Sequence, residues 1–442
     1  MANYQVPRGT QDLFGSEIRK WQRIELLVRQ LTDVFGYQEI RTPEFEHTEV
    51  FNRENDSSDV VNKEMYTFID KGERSLTLKP EGTAGIIRAF VENKMYANPD
   101  SPTKLFYLSP CFRYERPQKG RMRIHHQFGI EVLGDKNPMI DAEVISLGLS
   151  VVQSLGLKDL KVLINTLGDK DSRESYKTAL KEHFKEPIGH FCADCQRRYQ
   201  QNPLRILDCK IDHEDPAMIS APKLRDYLTD DSKAYFESVL KILKASDIDV
   251  EVNDKLVRGL DYYTHTVFEV VSVNADMGSQ STVFGGGRYD DLVKDFGGPE
   301  LSGIGFGMGI ERLLVALEAE KIDLTEEESS DVYIVSMGQE ATEYAYQLAN
   351  FLRLNGFVTD FDYYARSFKA QFKSAERKKA KVAIIIGEDE MKNGQAVLKK
   401  IDTQTQVTVA EGEILHQLSH WLDEEHIHDE FCDVETQGET HE

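Results

Sequence analysis

LFYLSPCFRYERPQKGRMRIHHQFGIEVLG, Leu105 to Gly134, decides the fold: two extended runs flank a polar, basic turn. Such a pattern predicts a β-hairpin. In the first run Arg113 and Glu115 share a face at i, i+2. In the second, His125, Gln127, Gly129 and Glu131 share one face, and His126, Phe128, Ile130 and Val132 the other. With the mostly apolar face toward a core, the polar face lines a cavity, and Gly129 leaves room between two polar groups. The turn carries Arg116, Lys119, Arg121 and Arg123. Those residues make a mobile cationic clamp suited to a triphosphate or a nucleic-acid end; plain solvation of a basic loop is the other reading.

Upstream, Ile18, Trp21, Ile24, Val28, Leu31 and Phe35 recur at helical spacing, with Ser16 as the expected N-cap and Gly36 as the stop. Tyr37 to Glu46 then reads as an extended strand whose Pro43 lacks a ladder donor, so it belongs at an edge, a bend or an interface. Downstream, a helix is expected from Asp141 to about Leu155 and a short strand from Lys161 to Asn165. Residues 168–222 are polar, helical and rich in cysteine, and read as an insertion. Strand signals resume at Leu256 (LVRGLDYYTHTVFEVVSV) and at Gly303 (GIGFGMGIERLLVALE). Strands without regular βαβ alternation imply an α+β domain, 1–325, built on an antiparallel sheet with surrounding helices.

Gly303, Gly305, Gly307 and Gly309 alternate at period two and strip one strand face of side chains. Either a flat ring lies against that backbone, or another element crosses it closely. Arg312 follows at a helix N-terminus, which favours phosphate. No G-x-x-x-x-G-K-[ST] is present, and no G-x-G-x-x-G opens a helix. Arg258 with Asp261, Tyr262 and Tyr263, and Gly285 to Gly287 with Arg288 and Tyr289, add two more Arg/Gly sites. Jointly these suggest nucleotide binding on an antiparallel sheet.

The charged stretch from Glu326 to Ser330 marks a linker. Beyond it, strands near 332–335, 358–361 and 382–386 alternate with helices near 340–354 and 367–380; two more strands and a helix near Ile414 to Trp421 complete an α/β domain, 331–424. The acidic residues 425–442 are expected to be disordered. Across its 442 residues the chain has 40% apolar and 29% charged composition, and 53 basic against 76 acidic residues give −23. That balance disfavours a membrane surface, and confines any polyanion to a local basic site. No run approaches the 18 apolar residues of a membrane helix. Five scattered cysteines and an opening without a targeting pattern suggest a reduced, cytoplasmic compartment.

PRGTQD, EIRTPEFE, KPEGT, FRYERPQKGRMR with HHQFGIEVLG, LVRGLDYYTHTVFE, GGGRYD and GIGFGMGIERLL together resemble the bacterial-type histidyl-tRNA synthetases, of the class II aminoacyl-tRNA synthetases, over nearly the whole chain. The resemblance implies the class II catalytic fold and a C-terminal anticodon-binding domain. The reaction it implies is activation of L-histidine by ATP with Mg2+ and transfer to the 3′ end of tRNA(His), by a homodimer. It places Arg113 on the α-phosphate with Arg258 opposite. Arg312 and Arg121 take the outer phosphates, with Glu115 beside them, and His125 lies against adenine. It gives histidine to Glu81, Gly82, Thr83, Gln127, Glu131, Arg258, Tyr262, Tyr263 and Tyr289. His125 stands where an aromatic Phe is common, so ATP affinity is expected to vary with pH near neutrality. Lys79 replaces a common Arg, with little consequence expected. An inactive, synthetase-like regulatory subunit of histidine biosynthesis is the competing reading; such chains generally lack the C-terminal domain and intact catalytic segments.

Cys192, Cys195 and Cys209 form C-x2-C-x13-C, with His190 and His213 as candidate fourth ligands. The spacing fits structural zinc. Family resemblance does not demand the metal, and buried thiols are the other reading. The C-terminal basic run Lys369, Lys373, Arg377, Lys378, Lys379 and Lys381 is suited to phosphates, or is a solvated helix face.

Overall fold

Apolar Trp21, Ile24 and Val28 drive helix α1 (Ser16–Val34) onto the core. Ser16 is its first helical residue rather than its cap. Gly15 at φ +58° turns the chain into the helix instead, a conformation glycine takes without steric cost. This computed structural model describes residues 4–52, 64–209, 211–257, 262–325 and 329–429. Two compact units divide it, Met1–Thr325 and Glu326–Glu442.

In the first unit the expected strand 37–46 is two short ones, β1 (Gln38–Glu39) and β2 (Phe45–His47), separated by the segment holding Pro43. β3 (Tyr66–Ile69) and β4 (Ser75–Leu78) complete a three-stranded sheet with β2. Helix α2 (Thr83–Glu92) precedes the hairpin strands β5 (Thr103–Phe112) and β6 (Ile124–Leu133). Helix α3 (Pro138–Ser154) starts three residues earlier than expected because Asn137 caps it, accepting the Met139 N–H. β7 (Leu160–Thr166) leads into the insertion, with helices α4 (Lys170–Phe184), α5 (Ala193–Gln201) and α6 (Pro216–Ile219). Next come α7 (Asp230–Ala245), β8 (Val250–Val252), β9 (Thr264–Ser272), β10 (Thr282–Tyr289), α8 (Leu292–Asp295), β11 (Gly303–Gly309) and α9 (Ile310–Ala319).

Eight strands make the main sheet in the order β1-β5-β6-β11-β10-β9-β7-β8. Its interior pairs are antiparallel, and only the two outermost pairs, β1–β5 and β7–β8, are parallel. Period-two alternation divides its faces. Phe128, Ile130, Val132, Ile304, Phe306, Met308, Phe284 and Phe268 point to a core shared with α1, α3 and α9. The opposite face carries Glu131, Tyr107 and Tyr289, with α2 and the insertion packed beyond.

Arg288 was grouped by sequence with the nucleotide-binding residues, but it is fully buried on the core face. Parity explains this: Gly287 and Tyr289 face the pocket, so the residue between them faces away. Its guanidinium grips Asp141 of α3 through Nε at 3.0 Å and also through Nη2, and donates to Ser302 Oγ at 2.6 Å. Tyr235 of α7 donates to the same carboxylate at 2.8 Å.

The second unit holds β12 (Val332–Ser336), α10 (Gln339–Leu354), β13 (Thr359–Phe361), α11 (Phe368–Arg377), β14 (Val382–Ile386), α12 (Glu388–Asn393), β15 (Gln395–Lys400), β16 (Gln406–Ala410) and α13 (Ile414–Asp429). Its sheet runs β13-β12-β14-β15-β16, with the first three strands parallel. α10 and α13 cover one face, and α11 the other. α13 continues to Asp429, into the tail expected to be disordered, because each added residue of a formed helix gains a backbone bond. Residues 430–442 lie outside the described residues.

Asp141→Ala strands a fully buried guanidinium, and is expected to cost about 3–5 kcal/mol in denaturant unfolding. The double replacement Asp141→Leu with Arg288→Met is expected to recover most of that loss.

Candidate active site

Strand register builds the site. In β11, Gly303, Gly305 and Gly307 pair with Leu133, Glu131 and Gly129 of β6 on one side, and with Tyr289, Gly287 and Gly285 of β10 on the other. A methyl group at Gly305 would lie 2.1 Å from Glu131 Oε2, and one at Gly307 would lie 1.7 Å from Gln127 Nε2. The bare face is therefore covered by polar side chains of the flanking strands, which is the close-crossing alternative. Only at Gly309 is the strand open, with Arg312 Cβ as the nearest atom at 3.8 Å.

Over this floor, buried polar and tyrosine side chains gather into a polar pocket site. Glu81 accepts the Thr83 and Ala84 N–H groups at 2.7 and 2.8 Å, where the positive end of α2 favours a carboxylate. The Thr83 hydroxyl donates to Glu131 Oε1 at 2.6 Å, and the Tyr289 hydroxyl donates to Glu131 Oε2 at 2.5 Å. The Tyr262 ring lies tilted against Tyr263 at 4.7 Å and edge-on to Tyr289 at 5.6 Å. Burial, reinforced by Glu81, pushes the Glu131 carboxyl up to about 8 against the opposing pull of those two hydroxyls. In the ligand-free pocket it is mostly protonated at neutral pH.

Tyr107 belongs to this pocket, and the sequence reading did not single it out. Its ring fills the space left by Gly82 and Gly129, each of whose missing methyls would lie 2.3 Å from it. Its buried hydroxyl has no hydrogen-bond partner among the described residues. The available signal was Gly129 itself: a glycine inside a strand marks a close approach, and Tyr107 is its partner in the ladder.

At the open end lie the cations. Arg113 donates through Nε to the Pro80 carbonyl at 2.8 Å and lies 3.9 Å from Glu115. Arg121 reaches the same carboxylate at 3.4 Å. Arg312 donates to the Thr282 carbonyl at 3.3 Å, within electrostatic range of Arg121, Glu115, Arg113 and Glu269. Arginines gathered this way, with only partial compensation, make a focused positive field. The rest of the expected clamp is dispersed: Arg123 stacks on Tyr114 at 4.2 Å, Lys119 pairs with Glu318 at 3.0 Å, and Arg116 is exposed.

His125 sits beside these arginines on the pocket face, where its surroundings disfavour the expected titration near neutrality. Burial first, then the positive charges of Arg113 and Arg312, push its imidazole down to about 3. Lys79 is buried and pairs with Glu44 at 3.0 Å. Arg258 and Asp261 lie outside the described residues. Cys192, Cys195 and Cys209 do converge, but the fourth group beside them is Asp212. The expected histidines are engaged elsewhere, His190 with Asp215 at 2.8 Å and His213 with Glu214 at 3.8 Å.

Residues 9–313 match the family described as Histidyl-tRNA synthetase, and residues 331–421 match the Anticodon binding domain. Histidine–tRNA ligases of Lysinibacillus sphaericus and Bacillus subtilis are each 50% identical to this chain over 418 and 414 residues. These spans cover 94% and 93% of this chain, and 99% and 98% of those proteins. The crystal structure of apo S. aureus histidyl-tRNA synthetase superposes with a TM-score of 0.82 at 43% identity, covering 94% of this chain and all of that one.

Two pH measurements check the electrostatics. Between about 4.5, the ordinary value, and about 8, the folded chain holds the Glu131 proton that the unfolded chain has released. This carboxyl therefore lowers stability as pH rises through that window. Glu131→Gln mimics the protonated form and does not titrate. Its urea-unfolding stability relative to the parent is expected to rise by more than about 1 kcal/mol between roughly pH 5 and pH 8; a constant difference would mean that Glu131 is already ionised. For His125, the KM for ATP is expected to stay flat from about pH 5.5 to 8.5, because the ring is neutral throughout.

Proposed function

The chain belongs to the histidyl-tRNA synthetase family, and on that premise we infer that it is a histidine–tRNA ligase. The histidine carboxylate attacks the α-phosphate of ATP, pyrophosphate leaves, and the histidyl group of the adenylate then passes to the 3′ end of tRNA(His). Near-complete relatives at 50% identity named as ligases support this reading over the inactive regulatory subunit.

We assign the buried polar cluster to histidine and the arginine cluster to ATP. The observation carrying the first assignment is Glu131 held between the Thr83 and Tyr289 hydroxyls beneath the tyrosines. An imidazole offers such a site both a donor and an acceptor, whereas an apolar isostere leaves buried polar groups unpaired and is rejected. Glu81, Thr83 and Gln127 receive the α-ammonium group. Glu131 and Tyr263 bond the ring, with Tyr289 closing the pocket. At the cationic end Arg113 holds the α-phosphate, and Arg121 and Arg312 hold the outer phosphates. Glu115 and Glu269 face the same arginines, and offer the oxygen donors that Mg2+ takes alongside substrate phosphates. Magnesium bound there would neutralise charge on the outgoing pyrophosphate. His125 supplies a neutral ring against adenine, near the open strand end at Gly309. For Arg258 the assignment to the α-phosphate rests on its place in LVRGLDYY.

The domain matching the anticodon-binding family meets the tRNA. Tyr363 and Tyr364 stand exposed beside Arg366, Arg377 and Lys378 around a cavity of about 370 Å³. Aromatic and guanidinium planes of this kind suit unstacked bases. We further propose a cytoplasmic homodimer joined through the segment from Glu39 to Glu46; no described helix is long and apolar enough to cross a membrane.

Exchange of pyrophosphate into ATP, run with each amino acid and no tRNA, is expected with histidine alone. Arg113→Ala and Arg258→Ala are each expected to slow that exchange by on the order of 10²- to 10³-fold. Absence of exchange in folded protein would favour the regulatory reading.

A further inference from the structure

Three cysteines and an aspartate that the ligase reaction does not use converge in the insertion. We propose that Cys192, Cys195, Cys209 and Asp212 form a structural Zn2+ site that ties the turn before α5 to the segment after Asp208.

Geometry carries the assignment. The four ligand atoms lie within 4.8 Å of one another. Cys192 Sγ and Cys209 Sγ are 3.7 Å apart, and a tetrahedral zinc with bonds of about 2.3 Å to sulfur sets that edge at about 3.8 Å. Cys209 Sγ lies 3.3 Å from Asp212 Oδ2, against about 3.5 Å for a mixed sulfur–oxygen edge. The sulfurs stand well beyond the roughly 2.05 Å of a disulfide.

Local structure repeats around the four ligands. Cys192–Cys195 is C-x2-C, and Cys209–Asp212 is C-x2-D, so each turn supplies a ligand pair at the same spacing. In each turn the leading sulfur is met by a backbone N–H three residues on: that of Cys195 reaches Cys192, and that of Asp212 reaches Cys209 at 3.3 Å. The Cys192 N–H donates to Asp212 Oδ2 at 3.0 Å and joins the two turns. Asp212, an oxygen donor, takes the fourth position for which the sequence offers His190 and His213.

Need for such a tie follows from the local architecture. Around the cluster the chain forms only short pieces: Pro187–His190, Ala193–Gln201, Pro203–Asp208 and Pro216–Ile219. Pieces this short have few backbone hydrogen bonds of their own, and a metal can fix the turns that join them. Cys195 and Cys209 are buried among Phe191, Leu204 and Ile206, and four protein ligands leave no coordination position for water. Such a closed set is structural rather than catalytic.

Full-length protein, purified under reducing conditions and exchanged free of loose metal, is expected to carry about one zinc per chain. Cobalt added to stripped protein is expected to give the visible absorption of tetrahedral thiolate coordination. Cys195→Ser is expected to lower zinc content at least about tenfold, Asp212→Ala to weaken retention against a chelator, and Asp212→Cys to preserve it. Should Cys195→Ser fail to fold, the cobalt spectrum of the parent and the two Asp212 variants decide the matter. The assignment is overturned if folded, reduced protein binds neither zinc nor cobalt, if bound metal survives both Cys195→Ser and Asp212→Ala unchanged, or if Cys192 and Cys209 are found as a disulfide in place of the metal.

Discussion

The site depends on one face of β10 and β11 having almost no side chains. Gly285, Gly287, Gly303, Gly305 and Gly307 stand together in the middle of an antiparallel sheet, where a residue of ordinary size would fill the space above the backbone. Glu131 and Gln127 lie in that space, and a methyl group at Gly305 or Gly307 would collide with them. Bare backbone at the sheet centre thus leaves room for a buried carboxylate with two hydroxyl partners, and for an amide farther along the same face. Without it, the polar face of β6 would have to turn toward solvent.

From that constraint follows a gradient of charge along a single sheet face. At the closed end, burial keeps Glu131 protonated at neutral pH and surrounds it with tyrosines. At the open end, Arg113, Arg121 and Arg312 gather around Glu115, and burial, with Arg113 and Arg312 beside it, disfavours a charge on His125. A zwitterion that puts its ring in the closed end presents its carboxylate toward the arginines, where a phosphate would also be drawn. The preorganisation is electrostatic as much as steric, since the donors are fixed by backbone contacts such as that of Arg113 to Pro80 before any ligand arrives.

The reverse face of the sheet is equally specific. Arg288 and Asp141 form a buried pair that joins β10 to α3, with Tyr235 of α7 and Ser302 completing its hydrogen bonds. A pair of this kind contributes less to net stability than to register, because its desolvation offsets much of its attraction. It sits on the strand whose Gly285 and Gly287 stand opposite Gly307 and Gly305.

Much of this was legible in the residues alone. Period-two alternation fixed which side of β6 bears Gln127 and Glu131, helical periodicity located α1 and α10, and the spacing of Cys192, Cys195 and Cys209 marked a cluster. Those features depend on near neighbours in the chain, whose geometry is set by backbone sterics. Tyr107, the inward turn of Arg288, Asp212 as the fourth member of the cysteine cluster, and the opposite pKa shifts of Glu131 and His125 were decided only by tertiary structure. Each depends on register or burial: which residue of one strand stands opposite a glycine of the next, and how far water is excluded from a charge. Contacts between residues far apart in sequence set both quantities, and no local pattern encodes them.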